Sequence, residues 1–306
     1  MSSSEPLDIK NYIGLTSDTP IRFIASDVDG TLVNDAKSVD PEVVSAVRAA
    51  RESGIRVAIA SGRAWHEMDD VIDAMPCLRY FVCTNGAYVM DKEGKKELVH
   101  ISFDKTRAID LVRKLMTYGV FVEAYVKAEI FGQYPTVGNE TLQAERFFRP
   151  NIRPFILKTR TMVPDLLAHL ESLPEGPEKI QIFYGDERIR ERILADLRDD
   201  FQGAATDGKG RERFYDVLES SEGNLEFVLP HTTKGTAVEA LANHWGYTPD
   251  EVMTIGDSEN DLSMIRFAGA SVAMGNARDN VKAAARYETT DNNNYGVARA
   301  LYSAIA

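Results

Sequence analysis

Cysteine is nearly absent from the chain. Cys77 and Cys83 are the two thiols among 306 residues. So few cysteines exclude the disulfide framework that staples small secreted folds. The first twenty residues, MSSSEPLDIKNYIGLTSDTP, lack a basic start and an apolar middle. They read as a polar tail, not a signal peptide, so reduced thiols in a cytoplasmic protein are expected. Both cysteines lie in or beside apolar stretches and are read as packing residues. Long apolar runs are missing too. None approaches the roughly 20 residues of a membrane span, and no membrane partner is expected. Positive charge is in deficit, with 35 Lys and Arg against 47 Asp and Glu and a net charge of -12. A duplex binder needs a basic stripe, so the charge argues against nucleic acid as a partner. The same deficit means that the overall field would not draw in an anion. A bound cation and local basic groups would have to do so.

What remains is ordinary globular material, 44% apolar and 27% charged. A chain of this length favours two domains. Residues 21–26 (IRFIAS), 55–61 (IRVAIAS) and 79–87 (RYFVCTNGA) read as buried strands. Helices are expected between them. One is capped by Asp40, has Pro41 in its first turn and ends at Gly54; another runs from about Arg63 to Met75. This alternation predicts a parallel sheet with helices on its faces. The pattern resumes near the C-terminus, with helices over 236–243, 262–268, 281–285 and 297–305 and strands over 251–256 and 270–274.

The middle differs. A helix over 104–118 precedes strands at 120–126 and 129–134, then a loop rich in Pro, Arg and Phe to about 156. Helices near 163–172 and 187–199 alternate with strands at 179–185, 213–218 and 224–229. Such a mixture predicts a separate α+β domain over 104–230, inserted into an α/β core formed by 21–103 and 231–306, with 1–20 as the tail. The DNNN run at 291–294 is the one short low-complexity stretch.

Four stretches carry chemistry: DVDGT at 27–31, ASGR at 60–63, Lys234 in TTKGTA, and GDSENDLSM at 256–264. Each alone is weak, since a DxD after a strand is often a capped turn and a lone Lys a solvated charge. Together, with acids at strand ends, they point to one site at the edge where parallel sheets bind ligands. Several carboxylates there repel unless a cation sits between them. Oxygen donors without His or Cys favour a hard ion, Mg²⁺ before Ca²⁺. An EF-hand loop fails, because its spaced acids and bidentate Glu do not follow Asp29. With the charge neutralised, one carboxylate can attack phosphorus and a second can move the proton. Lys and Ser can hold the phosphoryl oxygens.

These four stretches resemble the four motifs of the haloacid dehalogenase superfamily. The insertion point, GDSENDLSM and TNGA at 84–87 resemble its Cof-type phosphatases, which carry a C2B cap. The likeness spans nearly the whole chain beyond residue 20. It implies a Rossmann-like core with 104–230 as cap, and a Mg²⁺-dependent phosphatase of small phosphorylated metabolites, sugar phosphates first. It implies Asp27 as nucleophile and metal ligand. Asp29 would be the general acid/base and a ligand through its carbonyl. Ser61, the Gly62 amide and Asn260 would hold the phosphoryl group. Lys234 would pair with the nucleophile, Asp257 would bind the metal, and Asp261 would orient Lys234 or a water on the cation. The second acid, Asp29, favours phosphate-ester hydrolysis over the superfamily's ATPases, which have Thr there, and over its dehalogenases, which lack it.

Two alternatives stay open. One is a phosphotransferase or phosphomutase using the same aspartyl phosphate. The other is a metabolite-binding sensor without catalysis. Arg63 reads equally as a site residue or a surface ion-pair partner. His66 and His231 have no metal-ligand company. Glu123, Tyr125, Arg146, Phe147, Phe148 and Arg149 offer polar and aromatic groups, each read first as core or solvated. Oligomeric state is not legible.

Overall fold

The computed structural model describes residues 13–16, 19–127, 129–135, 145–198, 213–219 and 223–306. Most of the expected tail, the centre of the Pro/Arg/Phe loop and the end of the helix expected to 199 lie outside the described residues. Two compact units emerge. One takes the described parts of 1–63, 68–99 and 233–306, the other those of 64–67 and 100–232.

The chain enters the first unit through β1 (Phe23–Ser26), α1 (Pro41–Glu52), β2 (Arg56–Ala60), α2 (Asp69–Ala74), β3 (Tyr80–Cys83), β4 (Tyr88–Asp91) and β5 (Lys96–His100). The second unit holds α3 (Lys105–Met116), β6 (Phe121–Val126), β7 (Glu129–Gln133), α4 (Arg153–Thr159) and β8 (Thr161–Met162). It continues through α5 (Leu166–Ser172), β9 (Lys179–Phe183), α6 (Glu187–Asp196), β10 (Asp216–Leu218) and β11 (Asn224–Val228). The first unit is completed by α7 (Lys234–Trp245), β12 (Val252–Gly256), α8 (Leu262–Phe267), β13 (Ala270–Ala273), α9 (Asp279–Ala284), β14 (Tyr287–Glu288) and α10 (Gly296–Ile305).

In the first unit the sheet order is β14-β13-β12-β1-β2-β3-β4-β5. β1 pairs in parallel with both β12 and β2, with Ser26 opposite Ile255 and Ile59. Burial on both faces explains why these strands are continuous apolar runs. Helix α1 forms because Asp40 accepts from the Glu42 amide at 2.8 Å and Pro41 suits the first turn. Its buried Val43, Ala46, Val47 and Ala50 follow the i, i+3, i+4, i+7 spacing of one helical face.

The second unit has a sheet ordered β10-β11-β9-β6-β7-β8, antiparallel except between β7 and β8. Strand alternation sorts its side chains. Val122, Ala124, Ile180, Ile182, Leu225 and Phe227 meet Val112 and Leu115 of α3 in one core. Glu123, Tyr125, Lys179, Gln181 and Glu226 take the other positions and are buried as well.

Three expectations need correction. The strand expected over 79–87 stops at Cys83, because Thr84 and Asn85 have positive φ (50° and 53°) and Gly86 has φ 103°. The chain then doubles back as β4, antiparallel to β3. The helix expected from Arg63 is α-helical only from Asp69, with a 3₁₀ turn over Trp65–Met68. The loop expected to 156 already contains α4 from Arg153, since Pro154 sits in a first turn that tolerates it. No helix among the described residues is long and apolar enough to cross a membrane.

Candidate active site

The ends of β1 and β12 place the first two acids. The Asp27 amide donates to the Ile255 carbonyl at 2.9 Å, so the ladder to β12 continues one residue past the strand. The chain then turns tightly, and the Val28 carbonyl accepts from the Leu32 and Val33 amides at 2.9 and 3.0 Å. Gly30 is required inside this turn. Its φ is +78°, and a Cβ there would stand 2.6 Å from Asp257 Oδ2. Thr31 Oγ1 donates to Asp257 Oδ1 at 2.9 Å, tying the turn to the end of β12.

Lys234 comes from the opposite end of the sequence. It is the first residue of α7, which begins with a reciprocal cap: the Thr236 amide donates to Thr233 Oγ1, and the Thr233 amide to Thr236 Oγ1. The Lys234 side chain is 1% exposed, and its Nζ donates to Asp27 Oδ1 at 2.5 Å and Asp261 Oδ1 at 2.7 Å. Asp261 also accepts, through Oδ2, from the Asp257 and Ser258 amides at 2.9 Å each. Burial alone would lower the Lys234 pKa, but Asp261 and Asp27 reverse it, so the ammonium is held charged. Burial raises Asp27 well above the usual carboxylate range. Asp261 adds to the rise and Lys234 opposes it. Asp257 is raised chiefly by burial.

One carboxylate oxygen from each of Asp27, Asp257 and Asp261 lies within 4.8 Å of the others. All the donors are oxygen, which suits a hard cation such as Mg²⁺. Both Asp261 oxygens are already engaged by Lys234 and two amides. Asp27 and Asp257 are therefore the side chains with capacity left for a cation.

A second cluster forms at the ends of β2 and β3. The Ser61 amide donates to the Val82 carbonyl at 2.8 Å, and the Asn85 amide to the Ser61 carbonyl at 2.9 Å. A Cβ on Gly62 would lie 3.1 Å from Asn85 Oδ1, and Asn260 Nδ2 donates to that same oxygen at 3.1 Å. Ser61, Gly62 and Asn260 are thus gathered around Asn85, a residue with no role assigned from the sequence. TNGA was the signal that marked it.

Asp29 is engaged differently from the other acids. Arg63 Nε and Nη2 donate to its two oxygens at 2.8 Å each, and Lys37 Nζ donates at 3.1 Å. Burial would raise the Asp29 carboxyl, but these two cations win and lower it. Arg63, equivocal in the sequence, is therefore an Asp29 partner. His66 and His231 are exposed. In the second unit Glu123 and Tyr125 are buried. Glu123 takes two bonds from Arg160, at 3.0 and 3.1 Å, and one from the Tyr125 hydroxyl at 2.8 Å. Phe147 and Phe148 pack with Phe121 and Phe183 in a small core. Arg146 lies over the Phe147 ring, and Arg149 is exposed.

The sequence profile of the family described as haloacid dehalogenase-like hydrolase matches residues 24–301. The chain is 30% identical over 287 residues to phosphatase YwpJ of Bacillus subtilis (strain 168), covering 91% of this chain and 98% of that protein. It is 27% identical over 284 residues to the 5-amino-6-(5-phospho-D-ribitylamino)uracil phosphatase YcsE of the same strain, covering 93% and 96%. A haloacid dehalogenase-like hydrolase from Bacteroides thetaiotaomicron has a similar crystal structure, with TM-score 0.74, 27% identity and coverage of 92% and 98%.

Proposed function

The chain belongs to the haloacid dehalogenase-like hydrolases, in the Cof-type branch, and from that membership we propose that it is a Mg²⁺-dependent phosphatase of small phosphorylated metabolites. The observation that carries this reading is the gathering of Asp27, Asp257 and Asp261 around one buried lysine. Asp27 and Asp257 would hold Mg²⁺, which would supply charge neutralisation for the phosphoryl group.

This chain's own residues do the rest. An Asp27 oxygen attacks phosphorus, the bond from phosphorus to the ester oxygen breaks, and Asp29, which must first take up a proton against the pull of Arg63 and Lys37, gives that oxygen its proton. The product is an aspartyl phosphate and a free alcohol. Water then attacks the aspartyl phosphate, loses a proton to Asp29, and releases phosphate with Asp27 restored. Lys234 offsets negative charge on Asp27 and the phosphoryl oxygens. Ser61, the Gly62 amide and Asn260 hold the transferred group. Residues 104–230 serve as the cap that selects the leaving group, with sugar phosphates first among substrates.

The test is phosphate release from a panel of sugar, nucleotide and cofactor phosphates, with and without Mg²⁺. Metal-dependent release that is lost in Asp27→Asn supports the reading. Release by Asp27→Asn at the unsubstituted rate refutes it. Transfer of phosphate to an added sugar, with none released to water, would make the protein a phosphotransferase instead.

A further inference from the structure

The DNNN run at 291–294 belongs to none of the four motifs, yet its side chains reach the loop that follows Asp29. Asn292 Nδ2 donates to the Val33 carbonyl and to Asp35 Oδ1, each at 3.1 Å. Asn293 Nδ2 donates to Asp35 Oδ2 at 3.0 Å, and the Asp35 amide donates back to Asn293 Oδ1 at 3.1 Å. Asn276 completes the set. Its Nδ2 donates to the Gly30 carbonyl at 2.7 Å, while its Oδ1 accepts from the Asn292 amide at 3.1 Å.

We propose that Asn276, Asn292 and Asn293 form a clasp that positions the 30–38 loop and, through it, the carboxylate of Asp29. The contacts bracket that residue. Gly30 follows it directly, and Val33 is its bridge partner. Lys37, in the same loop, reaches Asp29 Oδ1 from a left-handed backbone with φ 59°. The clasp is itself held rigid, because Asp291 accepts from the Asn293 amide and from Asn294 Nδ2 at 2.9 Å each. The next residue, Tyr295, sits in left-handed backbone with φ 62°, a conformation that non-glycine residues keep only where surroundings fix it.

Most of these bonds are exposed, and exposed polar bonds add little to folding stability because water replaces them readily. Their consequence is placement. Five of them converge on three residues of one loop, from side chains about 240 positions away or more. Amide side chains suit the task, since each can donate and accept at once.

The inference rests on the phosphatase reading, with Asp29 as proton donor to the leaving group. A misplaced donor matters for a poor leaving group and hardly for a good one. The experiment compares Asn293→Ala with the unsubstituted protein on two substrates. One is an alkyl phosphate that the unsubstituted protein hydrolyses, glucose 6-phosphate first. The other is p-nitrophenyl phosphate. We expect kcat/KM for the alkyl ester to fall about tenfold and for the aryl ester less than about threefold. Asp35→Ala should give the same selective loss, and the double variant no further loss. Equal losses on both substrates, or none, would overturn the proposal. Hydrogen exchange over residues 30–38 reads the clasp without activity, and should quicken in Asn293→Ala. Unchanged exchange overturns the clasp. Phosphate release by the unsubstituted protein from no substrate would instead refute the phosphatase reading.

Discussion

Lys234 donates to Asp27 at 2.5 Å across 207 positions of sequence, and both side chains are buried. The same ammonium serves Asp261 at 2.7 Å. One cation therefore lets two carboxylates share an interior where their repulsion would otherwise be costly.

Replacing that cation should be severe. Lys234→Ala leaves Asp27 and Asp261 buried without a counter-charge, which costs about 3–5 kcal/mol of stability. Urea unfolding in the absence of Mg²⁺ measures it. Turnover should fall at least about a hundredfold as well, from loss of charge stabilisation. Unfolding at the unsubstituted midpoint would show that the lysine is not the clamp described.

Two glycines should respond unequally to alanine. Gly86 has φ +103°, and a Cβ there would meet the Thr233 carbonyl oxygen at 2.3 Å. Gly54 has φ +88° with nothing within 4 Å. Gly54→Ala should cost only left-handed backbone strain, about 1–2 kcal/mol. Gly86→Ala adds a backbone collision at the cap of α7, so its cost should exceed that by at least about 1 kcal/mol. Equal unfolding midpoints would contradict the close approach.

Asp91 gives a pH dependence with a defined sign. Arg79 donates to its two oxygens at 2.8 and 2.7 Å, and the Gly94 amide donates at 3.0 Å. The Arg79 bonds hold the Asp91 carboxyl below its usual value. A depressed carboxyl contributes stability above the unfolded value of about 3.9 and loses it as pH falls through the lower folded value. The stability gap between the unsubstituted protein and Asp91→Asn should therefore be widest near neutrality and narrow in acid. Urea midpoints at about pH 7 and pH 3 measure it. A gap that widens in acid would reverse the assignment.

Asp257 and Asp261 should separate metal binding from folding. Asp257→Asn should weaken Mg²⁺ binding at least about tenfold by calorimetry, with little loss of stability, because it would remove a proposed ligand from a crowded acidic site. Asp261→Asn should do more to stability, by about 1–3 kcal/mol, because its two oxygens satisfy Lys234 and two amides. The opposite pattern would make Asp261 the metal ligand.

Legibility followed burial. β1, β2 and β12 are apolar on both faces, so their sequences announce strands. β5, reading KELVH at the sheet edge, carries mostly polar side chains and no such signal. The turn that frees β4 depends on positive φ at Thr84, Asn85 and Gly86; Asn85-Gly86 is a turn signal, but Thr84 advertises no such conformation. Asp27 and Asp257 stood out because they follow apolar strands, whereas Lys234 and Asp261 stood out only through the joint pattern of the four stretches and the family resemblance. The Arg63–Asp29 pair and the asparagine clasp did not. Their partners lie on separate loops, and only the folded chain brings them together.

The most direct measurement traps the covalent step. The protein is mixed with Mg²⁺ and the best substrate of the panel, quenched in acid, and its peptides are weighed by mass spectrometry. The account predicts one added phosphoryl group on the peptide containing Asp27, absent in Asp27→Asn. Rapid phosphate release with no phosphoryl group on that peptide, and undiminished release by Asp27→Asn, would contradict it.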